Sequence, residues 1–475
     1  MMALTAVAKF LGMLRTARIA ALFGAGMEAE ALAAAGRLPN LLMDIFPAAA
    51  VSGCFMPVLC QKGTDKRGFT ACFGTVFFLI LTLMALLCGL LAVPLTGSLF
   101  PGLSEEAASL TCRLLPRYAL TLIPMGGAAI LTAVCQVKGH YLIPPVACLL
   151  ANGGELAVLY RSPALTPDRV STLRLCAACL LCAILLYPLR KGNDVKVARG
   201  ILNLKKAWKR FPASLIASLL LPISLGAATA ASSFVMGGTA LFGYAATLFS
   251  AVLGITASGI VNYSLPKLAA ESDDVIRRQR ASSGLLAVFV IALPLALCLC
   301  LLSHETVSLI FHHGRMHDRD ILWVSRTLSL LSLCLPFCVA EDFLSRYALL
   351  IGKKAAILLP PLWGGASAII LSLLLREQGP VGGALAFLLC HLLSVLLLFF
   401  LLRRELPVFS LRSFPYLLWG LAAVCLVYQA ASRLSSPSDT VFPLPFLLIV
   451  AFSGGTLYLT ICRFTLGRER SDPPS

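Results

Sequence analysis

The sequence predicts an all-α polytopic membrane protein. The expected architecture is about 14 transmembrane helices, as two six-helix lobes in a pseudo-twofold arrangement plus two extra C-terminal helices. Three observations carry this. First, of 475 residues 59% are hydrophobic and 13% charged, with mean hydropathy +0.88; a soluble domain has roughly 45–50% apolar and about 25% charged residues. Second, apolar runs of about 18 or more residues recur, long enough to cross a hydrocarbon layer of roughly 30 Å. Third, Lys and Arg fall in alternate connecting segments. The strand-length alternation of a membrane β-barrel is missing from the sequence.

The first span, 3–23, holds Lys9, Arg15 and Arg18. Lys9 interrupts the apolar run and no small-residue cleavage site follows, so the segment is expected to be a retained helix and not a cleaved leader. The second span, 30–60, contains Pro39, Pro47 and Pro57, tolerable where neighbouring helices satisfy the freed backbone groups. Spans follow at 71–95, 108–137 (with Pro124), 141–160 and 174–189. A basic stretch separates these from 211–236, 240–266, 281–302, 321–351 (with Pro336), 355–375 and 380–402. The last two are 414–432 and 442–462.

Charge tests the count. With the N-terminus inside, the segments assigned to the cytoplasm hold 24 cations and the external loops hold 7, Arg174 among the latter. The positive-inside rule therefore supports an even number of spans with both termini cytoplasmic. The formal net charge of +17 follows mostly from these loops, so nucleic acid is not an expected partner. The segment KVARGILNLKKAWKR (196–210) is suited to anionic headgroups.

Two stretches echo each other. VPLTGSLFPG (93–102) precedes Pro124, and ETVSLIFHHG (305–314) precedes Pro336; Gly102 to Gly314 and Pro124 to Pro336 are both offsets of 212. FGAG (23–26) and MGG (236–238) fall near the same offset. The expected organisation is an N-terminal lobe at 1–190, a basic cytoplasmic linker at 191–210, a C-terminal lobe at 211–402, and the last two helices with the tail at 403–475. A parallel repeat of this kind places a cavity between its lobes.

Eight cations lie inside proposed spans: Lys9, Arg15, Arg18, Arg37, Arg113, Arg117, Arg326 and Arg346. Each costs about 2.5–3.5 kcal/mol at a helix centre, so such residues face a partner, water or an interface. Two readings stay open for Arg18, five residues from Phe23, and for Lys9 near the inner end: snorkelling to the nearer surface, or facing a water-filled cavity. Arg15 is central and has the least access to either surface. The acids within spans are Glu30, Asp44, Glu155, Glu341 and Asp342. A first lobe with more buried cation than anion suits an anionic substrate such as a phosphate or diphosphate.

Most of the seventeen cysteines lie in apolar runs such as LCAACLLCA (175–183), which reads as small buried hydrophobes. His304, His312, His313 and His317 lack a carboxylate frame and read as exposed loop residues. No metal site, no catalytic residue and no nucleotide fold is expected.

The residues at 11–59, LGMLRTARIAALFGAGMEAEALAAAGRLPNLLMDIFPAAAVSGCFMPVL, resemble the opening of the MurJ/MviN family. That family comprises lipid II flippases in the superfamily that also holds MATE antiporters. The shared pattern is an L-G-x-x-R helix, an F-G-A-G turn, then L-P-N-L-L and F-x-P-x-L. VSLIFHHGRM (307–316) resembles a second family segment. The resemblance implies that polyprenyl-diphosphate-linked disaccharide-pentapeptide enters a cationic cavity between the lobes, with its tail in a groove near the last two helices. It implies substrate-binding roles for Arg15, for Lys9 in place of a family arginine, for Glu30 and for Arg37. Met43 and Thr247 stand where the family carries cations, so Arg18, and less directly Arg113 or Arg117, are compensating candidates.

The expected function is therefore lipid II flipping across the bacterial cytoplasmic membrane by alternating access. No cofactor is expected, and coupling would be to the membrane potential or an ion. Expected partners are lipid II, membrane lipids and the cell-wall synthesis machinery. The competing expectations are a flippase for another polyprenyl-linked glycan, a MATE-like drug exporter, and a non-transporting scaffold for envelope synthesis.

Overall fold

A computed structural model of the chain describes residues 2–59, 66–162, 165–186, 208, 211–269, 271 and 273–406. Every regular element among them is a helix. The expected spans 414–432 and 442–462 lie outside the described residues, as does the linker apart from Trp208.

The N-terminal elements are α1 (Met2–Phe23), α2 (Met27–Pro47), a π-helical turn (Ala48–Phe55), α3 (Met56–Leu59), α4 (Lys66–Leu90), α5 (Ala92–Leu99), α6 (Glu105–Leu120), α7 (Leu122–Val137), α8 (Ile143–Arg161) and α9 (Pro167–Leu186). After them come α10 (Phe211–Ala217), α11 (Leu220–Ser232), α12 (Gly238–Ala269), α13 (Asp274–Leu301), α14 (Ser303–Phe311), α15 (Asp318–Ile351), α16 (Lys354–Leu374) and α17 (Gly379–Leu402). Ten spans among the described residues are long and apolar enough to cross a bilayer, and α10 with α11, bent by 46°, make an eleventh. Helix α1 matches them in length, at 22 residues, but carries its three cations. Each span expected between 3 and 402 thus meets a helix, and the chain is a multi-pass α-helical membrane protein.

Local chemistry sets the helix ends. Ser104 caps α6 by accepting the Ala107 N–H, and Asp273 caps α13 by accepting those of Val275 and Ile276. Helix α15 ends on Gly352 in the left-handed region (φ 71°). Pro47 closes α2, and the backbone loosens into the π turn, where the Met56 N–H reaches back to the Val51 carbonyl.

The chain divides into two compact units. The first comprises residues 1–244 with 313–316 and 361–383. Its aromatic core stacks Phe55, Phe69, Phe73 and Phe77, with Trp208 against Phe73 and Phe211. Two glycine contacts in this unit share one register. Gly102 meets the end of α11: its N–H donates to Ser233 Oγ at 3.3 Å, and a Cβ would overlap the Ser233 carbonyl. Gly314 (φ 67°) meets the end of α1: a Cβ would overlap the Ala21 carbonyl, which accepts the Arg315 N–H at 3.0 Å. The glycines are 212 residues apart, and so are their partners Ala21 and Ser233, exchanged. Gly24 (φ 61°) turns the chain out of α1 against the Arg315 carbonyl, and its own carbonyl accepts the Tyr244 hydroxyl at 2.7 Å.

The second unit comprises 245–312, 317–360 and the described residues from 384. Helices α13 and α15 approach closely because Gly284 admits the Phe343 ring, which would lie 2.7 Å from a Cβ there. Phe343, Tyr347, Leu335 and Val339 fill the interior, with Phe387 of α17 beside Phe249. Glu341 and His391 form a buried pair. Beyond α17, Glu405 accepts from Lys353 at 3.1 Å and Arg278 at 2.9 Å, and the Lys353 hydrogen bond holds its carboxyl below the usual glutamate range. In the same unit Arg346 pairs with Asp342 one turn away on α15.

The cysteines divide more finely than composition suggested. Cys54, Cys88, Cys135, Cys334, Cys338 and Cys390 are buried, whereas Cys176 and Cys179 lie exposed on α9. An apolar run that faces lipid leaves its small residues exposed on the helix surface.

Candidate substrate site in the first unit

Helices α1 and α8 run side by side in the same direction. Lys9 lies within electrostatic range of Cys148, Asn152 Nδ2 donates to the Ala8 carbonyl at 3.1 Å, Arg15 meets Glu155, and Arg18 meets Leu159. The α8 positions 148, 152, 155 and 159 form one stripe at i, i+4, i+7 and i+11. The polar residues of α1 are thus spread along one face of α8. Parallel α1 and α8 require an odd number of crossings between them, and α2, α4 and the α6–α7 pair supply three.

Arg15 sits at the centre. Its Nη1 donates to Glu155 Oε2 at 3.2 Å, and Arg174 Nη1 of α9 donates to the same oxygen at 3.1 Å. Glu155 is buried, with a side chain 2% exposed, while the arginines keep 20% and 27% of theirs open. Tyr118 of α6 lies within electrostatic range of all three charges. Two cations and one anion leave the cluster with surplus positive charge inside a membrane-spanning unit.

The other candidates sit elsewhere. Arg18 Nε donates to the Leu159 carbonyl at 3.3 Å, and its guanidinium lies over the exposed Tyr160 ring at 5.1 Å. That arrangement, an amphipathic cation at the end of a span beside an exposed aromatic, is the one snorkelling predicts. Glu30 is buried in the first turn of α2, near the backbone amides of Gly237 and Thr239, and its Oε1 has no hydrogen-bond partner among the described residues. Arg37 Nη2 donates to the Pro222 carbonyl at 3.1 Å, and its buried Nε has no partner among the described residues. Arg113 and Arg117 share Asp168 at the start of α9, the former at 2.6 Å. Of the seven candidates, only Arg15 joins the Glu155–Arg174 cluster.

The sequence reading placed Arg174, like Arg169, in an external loop, and the structure places both in a helix. Helix α9 begins at Pro167, so Arg174 stands two turns inside it. The signal was present: Thr-Pro-Asp at 166–168 is a helix start, with proline at the first position and an acid in the first turn. Counting apolar residues alone starts the span too late.

The sequence matches the family described as Lipid II flippase MurJ over residues 19–451. A probable lipid II flippase MurJ of Helicobacter pylori (strain J99) is 28% identical, covering 83% of this chain and 91% of that protein. Its counterpart from Rhizobium meliloti is 24% identical over 92% of this chain and 86% of the relative. That of Rickettsia prowazekii is 23% identical over 72% and 70%. Among solved structures, a lipid II flippase MurJ in an inward closed conformation superposes with a TM-score of 0.80 at 20% identity, over 98% of both chains. An inward-facing MATE multidrug transporter of the MOP superfamily gives 0.58 at 13% identity, over 85% of this chain and 94% of that one. These two likenesses concern the fold. The family match runs through both units and nearly the whole described chain, and on it the chain belongs to the lipid II flippase MurJ family.

Proposed function

We propose that the protein flips lipid II, a polyprenyl-diphosphate-linked peptidoglycan precursor, from the inner to the outer leaflet of the bacterial cytoplasmic membrane. The observation that carries the reading, beside family membership, is the surplus positive charge at Arg15, Arg174 and Glu155. An exporter of cationic drugs needs the opposite sign at its site, so the cluster disfavours that alternative.

The headgroup's diphosphate is an anion with several acceptor oxygens. Charge-assisted bonds from guanidinium to such oxygens are roughly twice as strong as neutral ones. Their attraction grows as water leaves a closing site and falls when the site rehydrates. Two lobes, 1–190 and 211–402, rocking about the substrate would supply that alternation. Both termini lie in the cytoplasm on this reading, and the polyprenyl tail stays in lipid. No bound cofactor is needed: an inside-negative potential favours outward movement of negative charge by about 2.3 kcal/mol per charge per 100 mV.

The test is complementation. Arg15→Ala should reach the membrane at normal levels yet fail to support growth of a flippase-depleted cell, and lipid II should accumulate in the inner leaflet. Normal growth would remove Arg15 from the mechanism. Normal lipid II distribution in depleted cells would instead favour a scaffold.

A further inference from the structure

We infer that Glu155 is the resident counter-ion of the anion site. Without substrate it occupies Arg15 and Arg174; a bound diphosphate takes its place on both, which makes Arg174 a substrate-binding residue. The inference rests on the flippase reading above.

Three features of the cluster support it. First, each arginine spends only one N–H on the carboxylate, and both go to the same oxygen. A guanidinium carries five donors in a planar fork suited to bidentate recognition of phosphate oxygens. The remaining donors of Arg15 and Arg174 have no protein acceptor among the described residues, so both forks are free to accept a second anion.

Second, the layering is right for exchange. The carboxylate is buried at the back, while both arginines are partly open. An anion arriving from the open side reaches the guanidinium groups before it meets Glu155. Its own charge then repels the carboxylate behind them.

Third, the charge count favours the exchange without making it irreversible. One carboxylate leaves two partly buried cations under-neutralised, and a diphosphate with more than one negative charge balances them better. Yet each bond the substrate makes replaces one that Glu155 already made. Affinity is therefore the difference between two strong interactions, and returning the arginines to Glu155 helps to expel the substrate. Glu155 thus sets retention and release from a position 140 residues away from Arg15 in sequence.

The experiment measures binding of undecaprenyl diphosphate to full-length protein in nanodiscs, with undecaprenol as the uncharged control. The comparison covers wild type, Arg15→Ala, Arg174→Gln, Glu155→Gln and the double variant Glu155→Gln/Arg174→Gln. Removing the competitor should tighten binding in Glu155→Gln about tenfold, and Arg174→Gln should weaken it about tenfold. Where Glu155→Gln alone does not fold, the double variant answers, because it keeps the site charge of wild type. It should bind more tightly than Arg174→Gln. Equal or weaker binding on removing Glu155, in both backgrounds, overturns the inference. The two readings fail differently. If wild type holds undecaprenol as well as the diphosphate, the anion site itself is wrong. If Arg15→Ala weakens binding while the Glu155 and Arg174 variants match wild type, only the counter-ion role is lost.

Discussion

Glu341 and His391 face each other across 2.6 Å inside the second unit, from α15 and α17, and the imidazole is almost wholly buried. A buried hydrogen-bonded pair is costly to break but adds little by its presence, because losing one partner strands the other while desolvation offsets most of the attraction. Truncating one partner, as Glu341→Ala or His391→Ala, should therefore cost about 1–3 kcal/mol. The double variant Glu341→Leu/His391→Phe should cost much less than the two added. Thermal unfolding in detergent across the four proteins checks this, and additive losses would mean the two residues do not act as a pair.

The cluster at Glu405 gives the protein an acid-sensitive end. Its carboxyl is held below the usual range first by the Lys353 hydrogen bond, with Arg278 nearby. A lowered folded-state pKa stabilises the fold above the unfolded value, about 4.3, and the contribution fades as pH falls through the folded value. Wild type should lose melting temperature on acidification from neutral pH to below about pH 4 more steeply than Glu405→Gln does. Parallel pH profiles for the two would exclude the contribution.

Gly24 and Gly352 both adopt the left-handed region, at φ 61° and 71°, but only Gly24 meets a neighbour. Gly352→Ala should cost only backbone strain, about 1–2 kcal/mol. Gly24→Ala carries the same strain and also drives a Cβ to 2.7 Å from the Arg315 carbonyl oxygen. It should be the more destabilising by a further 1–3 kcal/mol or so. Comparing denaturation of the two variants isolates the contact from the strain.

Orientation can be read from two exposed histidines, His140 between α7 and α8 and His304 in the first turn of α14. In a cysteine-free background, a membrane-impermeant thiol reagent should label His304→Cys in intact cells and leave His140→Cys unlabelled until the cells are opened. The reverse pattern would invert the topology.

The helices were legible because a membrane span is written locally, as length and hydropathy, and Gly102 and Gly314 meet partners at the same 212-residue offset as the sequence echo. The cluster was only half legible. Arg15 stood out because a central cation in an apolar helix needs a reason, and Glu155 was visible as an acid in a span. Their pairing was not: it joins helices 140 residues apart, and the helix rotation that brings them together is set by packing. Arg113 and Arg117 illustrate the same limit. Their i, i+4 spacing puts them on one face, but only the fold shows that Asp168 holds both.

The glycine contacts at the ends of α1 and α11 divide mutational tolerance unequally between neighbours. At Gly314 and Gly237 the room for a side chain is already taken by the carbonyl oxygens of Ala21 and Ala25. Every amino acid supplies a carbonyl, so Ala21 and Ala25 can be exchanged for other residues and still present the same acceptor. The glycines facing them cannot be exchanged without moving backbone. In a growth-selected library of single substitutions, residues that touch each other should therefore show opposite behaviour. One side of each contact would drift freely while the other stays fixed, and the fixed positions would mark these backbone contacts from sequence variation alone.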